Sequence, residues 1–303
     1  MGPVTNKVAG PFAFRDTSTP TMLSYQHAYH AGNFADVHKH LTLFAVIDHL
    51  ERKASPVTYI DTHAGRGLYP LAASETAKLQ EYREGIERLW QARDRLGETP
   101  LLGEWLAALG RVQKQHNRLD HYPGSPWWLS HRLRQQDRLT LIELHPAEHG
   151  HLMQQTLPCN GQRLHGDGLK DLDRRLPVQT PRLCVLIDPS YERKEEYGEV
   201  ARAAITAMAK VRHAVLLIWY PLLPAGRHRE LLDALRTGGL RKVWRSELIR
   251  SVPRGQPQGM QGSGMLLINP PWGLEERLDT AMAPITPLLG DEVRYQHDWW
   301  VGE

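Results

Sequence analysis

The stretch VLIDPSY (residues 185–191) places an acid, a proline, a serine and an aromatic residue directly after a run of apolar residues. A short apolar run that ends at a turn signal is typical of a buried strand. A second stretch with the same outline, LLINPPW (residues 266–272), follows further along the chain. Each predicts a strand that presents polar side chains at its carboxyl end, so the positions of the two strands in the sheet decide which one serves a site.

Seven short apolar runs are spaced along the chain. They lie at residues 57–60, 139–144, 163–165, 183–187, 214–219, 243–249 and 265–268. Helical patterns or long connections separate the first five, which predicts a mainly parallel sheet with helices on both faces. A glycine- and proline-rich link joins the last two and favours an antiparallel pair. The predicted fold class is α/β, with a Rossmann-like, seven-stranded, mainly parallel sheet whose last strand is antiparallel.

The connection between the first two runs is unusually long. It contains EYREGIERLWQAR (residues 81–93) and a second amphipathic stretch around Trp105, both with apolar residues at helical spacing. One helix is enough for a βαβ crossover, so we predict a small helical insert at about residues 70–122. YPGSPWW then resumes the main fold, with Ser125 as the expected N-cap and Pro126 as the first helical residue.

The composition is that of an ordinary globular protein. The 303 residues are 41% hydrophobic and 23% charged, and no apolar run reaches the roughly 20 residues of a membrane span. We expect a flexible extension at residues 1–21 and one domain at residues 22–303. Two distant cysteines in no CxxC pattern favour a reducing cytoplasm.

The charge balance is compatible with a nucleic-acid partner without requiring one. The formal net charge is +3, and basic side chains concentrated around the sixth run are of the kind that holds phosphates. These are Arg227, Arg229, Arg241, Lys242, Arg245, Arg250 and Arg254.

Acids and glycines follow the first three runs and suggest a ligand site. The first run continues into DTHAGRG (residues 61–67), in which Gly65 lets the backbone approach a ligand closely; the second ends at Glu143 and the third at Asp167 and Gly168. The dinucleotide fingerprint and the Walker lysine pattern are absent. An adenosine-containing ligand without a pyrophosphate fits best, and S-adenosylmethionine is the candidate. The alternatives are a plain tight turn and ordinary solvated acids at strand ends.

The fourth run ends at the tetrapeptide that opens this section. The Asp188 carboxylate and the carbonyl of the rigid Pro189 are two acceptors able to hold the hydrogens of a planar exocyclic amine and turn its lone pair toward a methyl donor. Tyr191 is expected to offer a face on which the base stacks, once that base is unpaired or flipped out. The alternative is an ordinary strand-end turn. Gly65, Glu143, Asp167 and Asp188 should then converge on one cavity.

The second stretch, with Asn269-Pro270-Pro271-Trp272 after its apolar run, superficially matches the sequence motif of amine methyltransferases. It ends the run placed antiparallel, so its carboxyl end should lie at the opposite edge of the sheet. We therefore expect a structural turn there, with Trp272 capping the core.

The segment MLSYQHAYHAGNFADVHKH (residues 22–40) carries four histidines, two tyrosines and a lysine. The segment has no cysteines, and no single helical face brings four zinc ligands together. No metal site is therefore predicted. Residues that line a pocket for a charged cofactor and a base fit the pattern better, and a partly exposed amphipathic helix remains the alternative.

From residue 22 to its end the chain resembles the J-type large-subunit ribosomal RNA methyltransferases, which methylate the N6 amine of one adenine. The shared stretches are MLSYQHAYHAGNFADVHKH, DTHAGRG, YPGSP, ELHP, GDG, IDPSY, WYP and INPPW. The resemblance implies a class I methyltransferase fold, S-adenosylmethionine as cofactor and Asp188 as the catalytic acceptor. It implies cofactor contacts from His40, His63, Ser125, Glu143, Asp167, Gly168 and Asp188. It also implies that Tyr25 meets the nucleic acid, with His27 and Lys39 in the same motif.

This sequence departs from the family at Ser190, where the family usually has a second proline. Serine is expected to make the turn less rigid and methyl transfer less efficient. The partner implied is 23S ribosomal RNA, as naked RNA or an early assembly intermediate, for a cytoplasmic monomer that uses neither membrane nor metal. The same family has been labelled as involved in the use of external DNA. Alternatives are a methyltransferase of DNA adenine or protein glutamine, and a non-catalytic nucleic-acid-binding protein that retains the fold.

Overall fold

The computed structural model describes residues 27–115, 117–251 and 259–303. Tyr25, Arg254 and the predicted extension at residues 1–21 lie outside this part of the chain. The strands are β1 Val57–Asp61, β2 Leu68–Pro70, β3 His121–Pro123, β4 Arg138–Glu143, β5 Gly161–His165, β6 Arg182–Ile187, β7 Val215–Leu222, β8 Val243–Arg250, β9 Gly262–Ile268 and β10 Val293–Val301. The helices are α1 Phe34–Glu51, α2 Ser74–Leu79, α3 Ile86–Gln91, α4 Arg93–Leu96, α5 Pro100–Gly110, α6 Ser125–His131, α7 Pro146–Met153, α8 Gly168–Arg175, α9 Glu196–Lys210, α10 His228–Thr237 and α11 Leu274–Leu289.

The central sheet has the order β10-β8-β9-β7-β6-β1-β4-β5 in the described part of the chain. The first strand pairs in parallel with β4 on one side and β6 on the other, so the strand order reverses at β1. Open α/β sheets bind ligands outside the carboxyl ends of the strands at such a point. The Rossmann-like class of the prediction is therefore confirmed, and the sheet itself locates the site.

The predicted strand count of seven is wrong, because the described sheet has eight strands. The missed strand, β10, pairs antiparallel with β8 at the edge of the sheet. Most of its side chains are exposed or half-buried, and Val293 is the buried exception. An edge strand of this kind lacks the apolar periodicity on which the sequence prediction depended.

The antiparallel prediction for the seventh run is confirmed. That run is β9, which pairs antiparallel with both β7 and β8. The carboxyl end of β9 therefore points away from the carboxyl ends of β6 and β7.

Two apolar clusters cover the two faces of the sheet. Helix α1 belongs to the first, and its apolar residues are buried around most of its circumference. Asn33 starts this helix by accepting a hydrogen bond from the Asp36 N–H at 3.0 Å, which satisfies one of the unpaired N–H groups of the first turn. Because α1 packs directly on β9, its polar residues from Asp36 to Thr42 are buried rather than exposed to solvent.

Helices α2 to α5 lie between β2 and β3, which pair with each other outside the main sheet. No helix in the described ranges is long and apolar enough to cross a membrane.

Two local predictions are wrong. Gly124, not Ser125, is the N-cap of α6; the Gly124 N–H donates to the Gly67 carbonyl at 2.8 Å, and Ser125 begins the helix facing the cavity described below. Trp272 does not cap the core, since 92% of its side chain is exposed while Leu274 is fully buried. The left-handed turn at Gly273, with φ of 71°, brings Leu274 into the core and leaves Trp272 outside.

Candidate active site

A cavity of about 450 Å³ opens at the carboxyl ends of the central strands. Eleven of the residues predicted from the sequence line it: His27, Lys39, His40, His63, Gly65, Ser125, Glu143, Asp167, Gly168, Asp188 and Pro189. They come from the short 3-10 helix His27–Tyr29, from α1, from the starts of α6 and α8, and from the segments around the ends of β1, β4 and β6. The convergence of Gly65, Glu143, Asp167 and Asp188 on one cavity is therefore present in the structure.

Glu143 is held in place by the backbone on both of its oxygens. Oε2 accepts from the Gly65 N–H at 2.7 Å, and Oε1 accepts from the His145 N–H at 2.6 Å. Burial raises the pKa of Glu143, and these two N–H groups oppose the rise. The carboxylate is thus oriented before any ligand arrives, with its remaining lone pairs available to hydroxyl donors.

Glycine is required at two points of the cavity wall. Gly65 has φ of 62°, and a Cβ there would lie 2.4 Å from the Tyr69 hydroxyl. A Cβ on Gly168 would lie 1.8 Å from the carbonyl oxygen of Thr62. The turn after β1 and the start of α8 therefore approach each other as closely as backbone permits.

Asp61, the first residue of DTHAGRG and one of the acids predicted at the strand ends, is fully buried and does not line the cavity. Its Oδ1 accepts from the His63 N–H at 3.2 Å, while Oδ2 has no hydrogen-bond partner among the described residues. Burial raises the pKa of Asp61 to about 7, against the lowering effect of the Ser125 hydroxyl. It lies beneath the cavity wall as a buried acceptor.

A series of close contacts connects His27, Asp36 and Lys39 to Asp188 of the tetrapeptide. Lys39 Nζ lies 2.6 Å from Asp188 Oδ2 and 3.0 Å from Asp36 Oδ1, and His27 Nε2 lies 2.9 Å from Asp36 Oδ2. The Lys39 side chain is only 4% exposed. In the described part of the chain, Asp188 Oδ1 accepts no hydrogen bond, whereas Oδ2 is held by Lys39.

The pKa values of this network follow from burial and charge. Burial alone would lower the pKa of Lys39, but the carboxylates of Asp188 and Asp36 hold it above its ordinary value. Burial would raise the pKa of Asp36, which His27 and Lys39 instead keep well below its usual range. Burial raises the pKa of Asp188, and the Lys39 ammonium opposes that rise. The lysine therefore stays charged between two acids.

The histidines of the amino-terminal motif have separate partners. His40 Nδ1 lies 2.8 Å from the Tyr122 hydroxyl, His30 Nδ1 lies 3.0 Å from Glu81, and the two nitrogens of His38 face two serines. Burial lowers the pKa of His40 well below its ordinary value and the pKa of His63 to about 4. Both line the cavity as uncharged rings at neutral pH.

Tyr191 does not offer the face predicted for it. The residue is only 6% exposed and does not line the cavity; its ring stacks on Tyr197 with centroids 4.4 Å apart. Its backbone is left-handed, with φ of 53°, and its hydroxyl donates to the Trp219 carbonyl at 2.8 Å. The turn directs the ring into the protein, where it supports β7.

Trp219 is an aromatic residue of the cavity that was not predicted from the sequence as a site residue. Ile187 pairs with Ile218 across β6 and β7, so Trp219 lies beside Asp188, and its ring lines the cavity. Lys39 Nζ lies 5.7 Å from the ring centroid, within reach of a cation–π interaction. Trp219 lies in WYP, one of the stretches shared with the methyltransferase family. The spacing of apolar residues alone does not distinguish it from a residue of the core.

The similar stretch at Asn269 lies at the other end of the sheet, as predicted. The Asn269 side-chain amide donates to the carbonyls of Arg212 and Ala214 at 2.9 and 3.0 Å. Both acceptors immediately precede β7, whereas Asp188 follows the end of the neighbouring β6. Strand direction therefore distinguishes the two stretches.

Three of the basic side chains around β8 form ion pairs within the chain. Arg245 is bonded to Asp298 at 2.8 Å, Arg250 to Glu84 at 2.8 Å and Lys242 to Glu303 at 2.7 Å. Their charges are thus met by carboxylates of the chain itself.

Comparison with known proteins gives a consistent result. The family model described as "Ribosomal RNA large subunit methyltransferase D, RlmJ" matches residues 54–301. The chain is 37% identical to ribosomal RNA large subunit methyltransferase J of Escherichia coli, covering 86% of this chain and 92% of the relative. It is 35% identical to the protein of the same name from Haemophilus influenzae, covering 89% and 95%.

A solved structure is similar as well. Protein LPL1258 from Legionella pneumophila superimposes with a TM-score of 0.81 at 35% identity, covering 89% of this chain and 98% of that one.

Proposed function

The chain belongs to the RlmJ family of ribosomal RNA large subunit methyltransferases. We propose that it uses S-adenosylmethionine to methylate the exocyclic N6 amine of one adenine in 23S ribosomal RNA. The observation that carries the proposal is the placement of Asp188 in the same cavity as Glu143 and the glycine turn, with one carboxylate oxygen that accepts no hydrogen bond from the described residues.

The residues of the cavity fit the cofactor. Glu143 presents fixed acceptor oxygens of the kind that hold ribose hydroxyls. Gly65 and Gly168 leave backbone surface where any side chain would intrude. When bound, the cofactor supplies an electrophilic methyl group on a sulfonium.

Asp188 and Pro189 are proposed to hold the acceptor amine. An adenine amine is a weak nucleophile because its lone pair is delocalised into the ring. Hydrogen bonds from its two N–H groups to Asp188 Oδ1 and to the Pro189 carbonyl would turn the lone pair out of conjugation, toward the methyl group. Lys39 keeps Oδ2 bound at 2.6 Å and so fixes the plane of the carboxylate.

The charge that appears during transfer lies next to the same carboxylate. As the nitrogen–carbon bond forms and the carbon–sulfur bond breaks, positive charge moves onto nitrogen, and a preorganised anion stabilises it. The nitrogen then loses a proton. Asp188 is the adjacent acceptor, and its buried position, which raises its pKa, suits it to that step.

Trp219 is proposed to take the stacking role first assigned to Tyr191. Its ring lines the cavity beside Asp188, where a base held by its amine would lie against it. Replacing Trp219 by leucine should lower kcat/KM for RNA about tenfold or more, because stacking contributes about 1–3 kcal/mol per base. The affinity for cofactor should stay unchanged. The control is Trp299→Leu on the exposed edge strand, and equal losses in both variants would refute the role of Trp219.

Glu143→Gln tests the cofactor half of the cavity. Glutamine keeps the size but turns an NH2 group toward a backbone N–H, so the side chain can no longer accept from both Gly65 and His145. We expect the Kd for S-adenosylhomocysteine, measured by titration calorimetry, to rise roughly 10- to 100-fold, the range of a lost hydrogen bond to a charged group. Glu104→Gln, exposed on α5, is the control. An unchanged Kd in Glu143→Gln would remove this residue from the cofactor site.

The substrate class is tested with the full chain and cofactor carrying a radiolabelled methyl group. Unmodified 23S ribosomal RNA, single-stranded DNA of the same sequence and a glutamine-containing protein extract are offered in parallel. Label in RNA is expected. Label in DNA or protein instead would contradict the proposal, and binding of cofactor with no transfer to any of the three would indicate a non-catalytic protein.

A further inference from the structure

A buried histidine outside the cavity is connected to the aromatic wall of the proposed base site. His38 on α1 is 1% exposed, and it lies between Ser263 of β9 and Ser246 of β8. Its Nδ1 is 3.1 Å from Ser263 Oγ and its Nε2 is 2.9 Å from Ser246 Oγ. The indole Nε1 of Trp219 donates to the same Ser263 Oγ at 3.0 Å.

The roles of these groups follow from their chemistry. An indole nitrogen only donates, so Ser263 Oγ accepts from Trp219. The hydroxyl keeps its own hydrogen and a second lone pair, so it pairs with His38 Nδ1 in either tautomer of the ring. Burial lowers the pKa of His38 to about 3, so the ring stays neutral at physiological pH, with one nitrogen as donor and the other as acceptor.

We propose that His38 is a positioning residue, which fixes the tilt of the Trp219 ring through Ser263 and so sets the plane in which the target base is held against Asp188. The inference rests on the proposed function for the identity of the base, while the link from His38 to Trp219 stands on the contacts themselves. Both serines are fully buried, so water does not compete for these hydrogen bonds. A side chain that only filled space would need neither nitrogen.

Two substitutions at the same position separate positioning from packing. The amide of asparagine reaches the place of the histidine Nδ1 and can accept from Ser263. The amide of glutamine reaches the place of Nε2 and can bond Ser246 instead. His38→Asn should therefore preserve the Trp219 geometry, and His38→Gln should lose it.

The ring itself is observed by fluorine NMR on the full chain labelled with 5-fluorotryptophan. Of the nine tryptophan signals, that of Trp219 is assigned by its disappearance in Trp219→Phe. We expect it to shift in His38→Gln and to stay in place in His38→Asn, with the other signals unmoved in both. In parallel, kcat/KM for RNA should fall about tenfold in His38→Gln, as expected for a misplaced reactive geometry, and the Kd for S-adenosylhomocysteine should not change.

A smaller pair of substitutions repeats the test if either histidine variant fails to fold. Ser263→Ala removes the acceptor of the indole and should behave like His38→Gln, whereas Ser246→Ala leaves it and should behave like His38→Asn. An unmoved Trp219 signal in His38→Gln, or equal loss of kcat/KM in the two histidine variants, would overturn the proposal. Absence of transfer by the wild-type protein would instead refute the proposed function, and the fluorine signals would still decide the link to Trp219.

Discussion

Asp188→Asn is expected to lower kcat for RNA methylation by about 10²–10³-fold or more. Asparagine has nearly the same shape and retains one acceptor oxygen, so Lys39 Nζ, now 2.6 Å from Asp188 Oδ2, keeps a partner. The carboxylate charge that faces the reacting nitrogen is lost, and with it a preorganised electrostatic contribution for which single-group removals cost this much. The rate is measured under saturating cofactor and RNA.

The same variant should bind RNA and cofactor almost as the wild type does, because the charge acts on the reacting nitrogen rather than on the rest of the nucleic acid. Asp173→Asn, an exposed acid paired with Lys210, is the control and should retain full activity. Turnover by Asp188→Asn close to that of the wild type would show that another group holds the amine.

Lys39→Met should destabilise the fold more than any other single change in the site. It leaves the buried carboxylates of Asp36 and Asp188 without the cation that lies 3.0 and 2.6 Å from them. Removing one partner of a buried ion pair costs about 3–5 kcal/mol. We expect the free energy of unfolding in urea to fall by about this amount, and methyl transfer to be lost as well.

The matched control is another lysine that pairs with an acid of the cavity. Lys170 lies 2.9 Å from Asp167, but its side chain is 72% exposed, so solvent screens the pair. Lys170→Met should leave the unfolding midpoint almost unchanged. A comparable loss of stability in both variants would mean that burial of the Lys39 network has been misjudged.

Strand ends were the part of this site that the sequence predicted well. Glu143, Asp167 and Asp188 each follow a short apolar run, and parallel strands deliver such residues to one edge of a sheet. Strand direction also distinguished Asp188 from Asn269, although the residues around Asn269 match an amine-methylating motif more closely. Both inferences need only the alternation of helices and strands.

What the sequence did not predict depends on contacts between distant residues. The left-handed backbone at Tyr191, with φ of 53°, directs its ring onto Tyr197. No local sequence pattern predicts this conformation. Asp36 looks like an ordinary acid in the first turn of a helix until His27 and Lys39 are seen on its two oxygens. Trp219 becomes a cavity wall only because β7 lies beside β6.

The position of the methyl group on the product nucleoside tests the central claim most directly. After reaction with 23S ribosomal RNA, the RNA is digested to nucleosides, and methylated adenosines are separated and identified by mass spectrometry against N6-, N1-, C2- and 2′-O-methyl standards. A cavity in which Asp188 holds an exocyclic amine predicts N6-methyladenosine from the wild-type protein and none from Asp188→Asn. Methylation on a ring nitrogen, on carbon or on the ribose would contradict it.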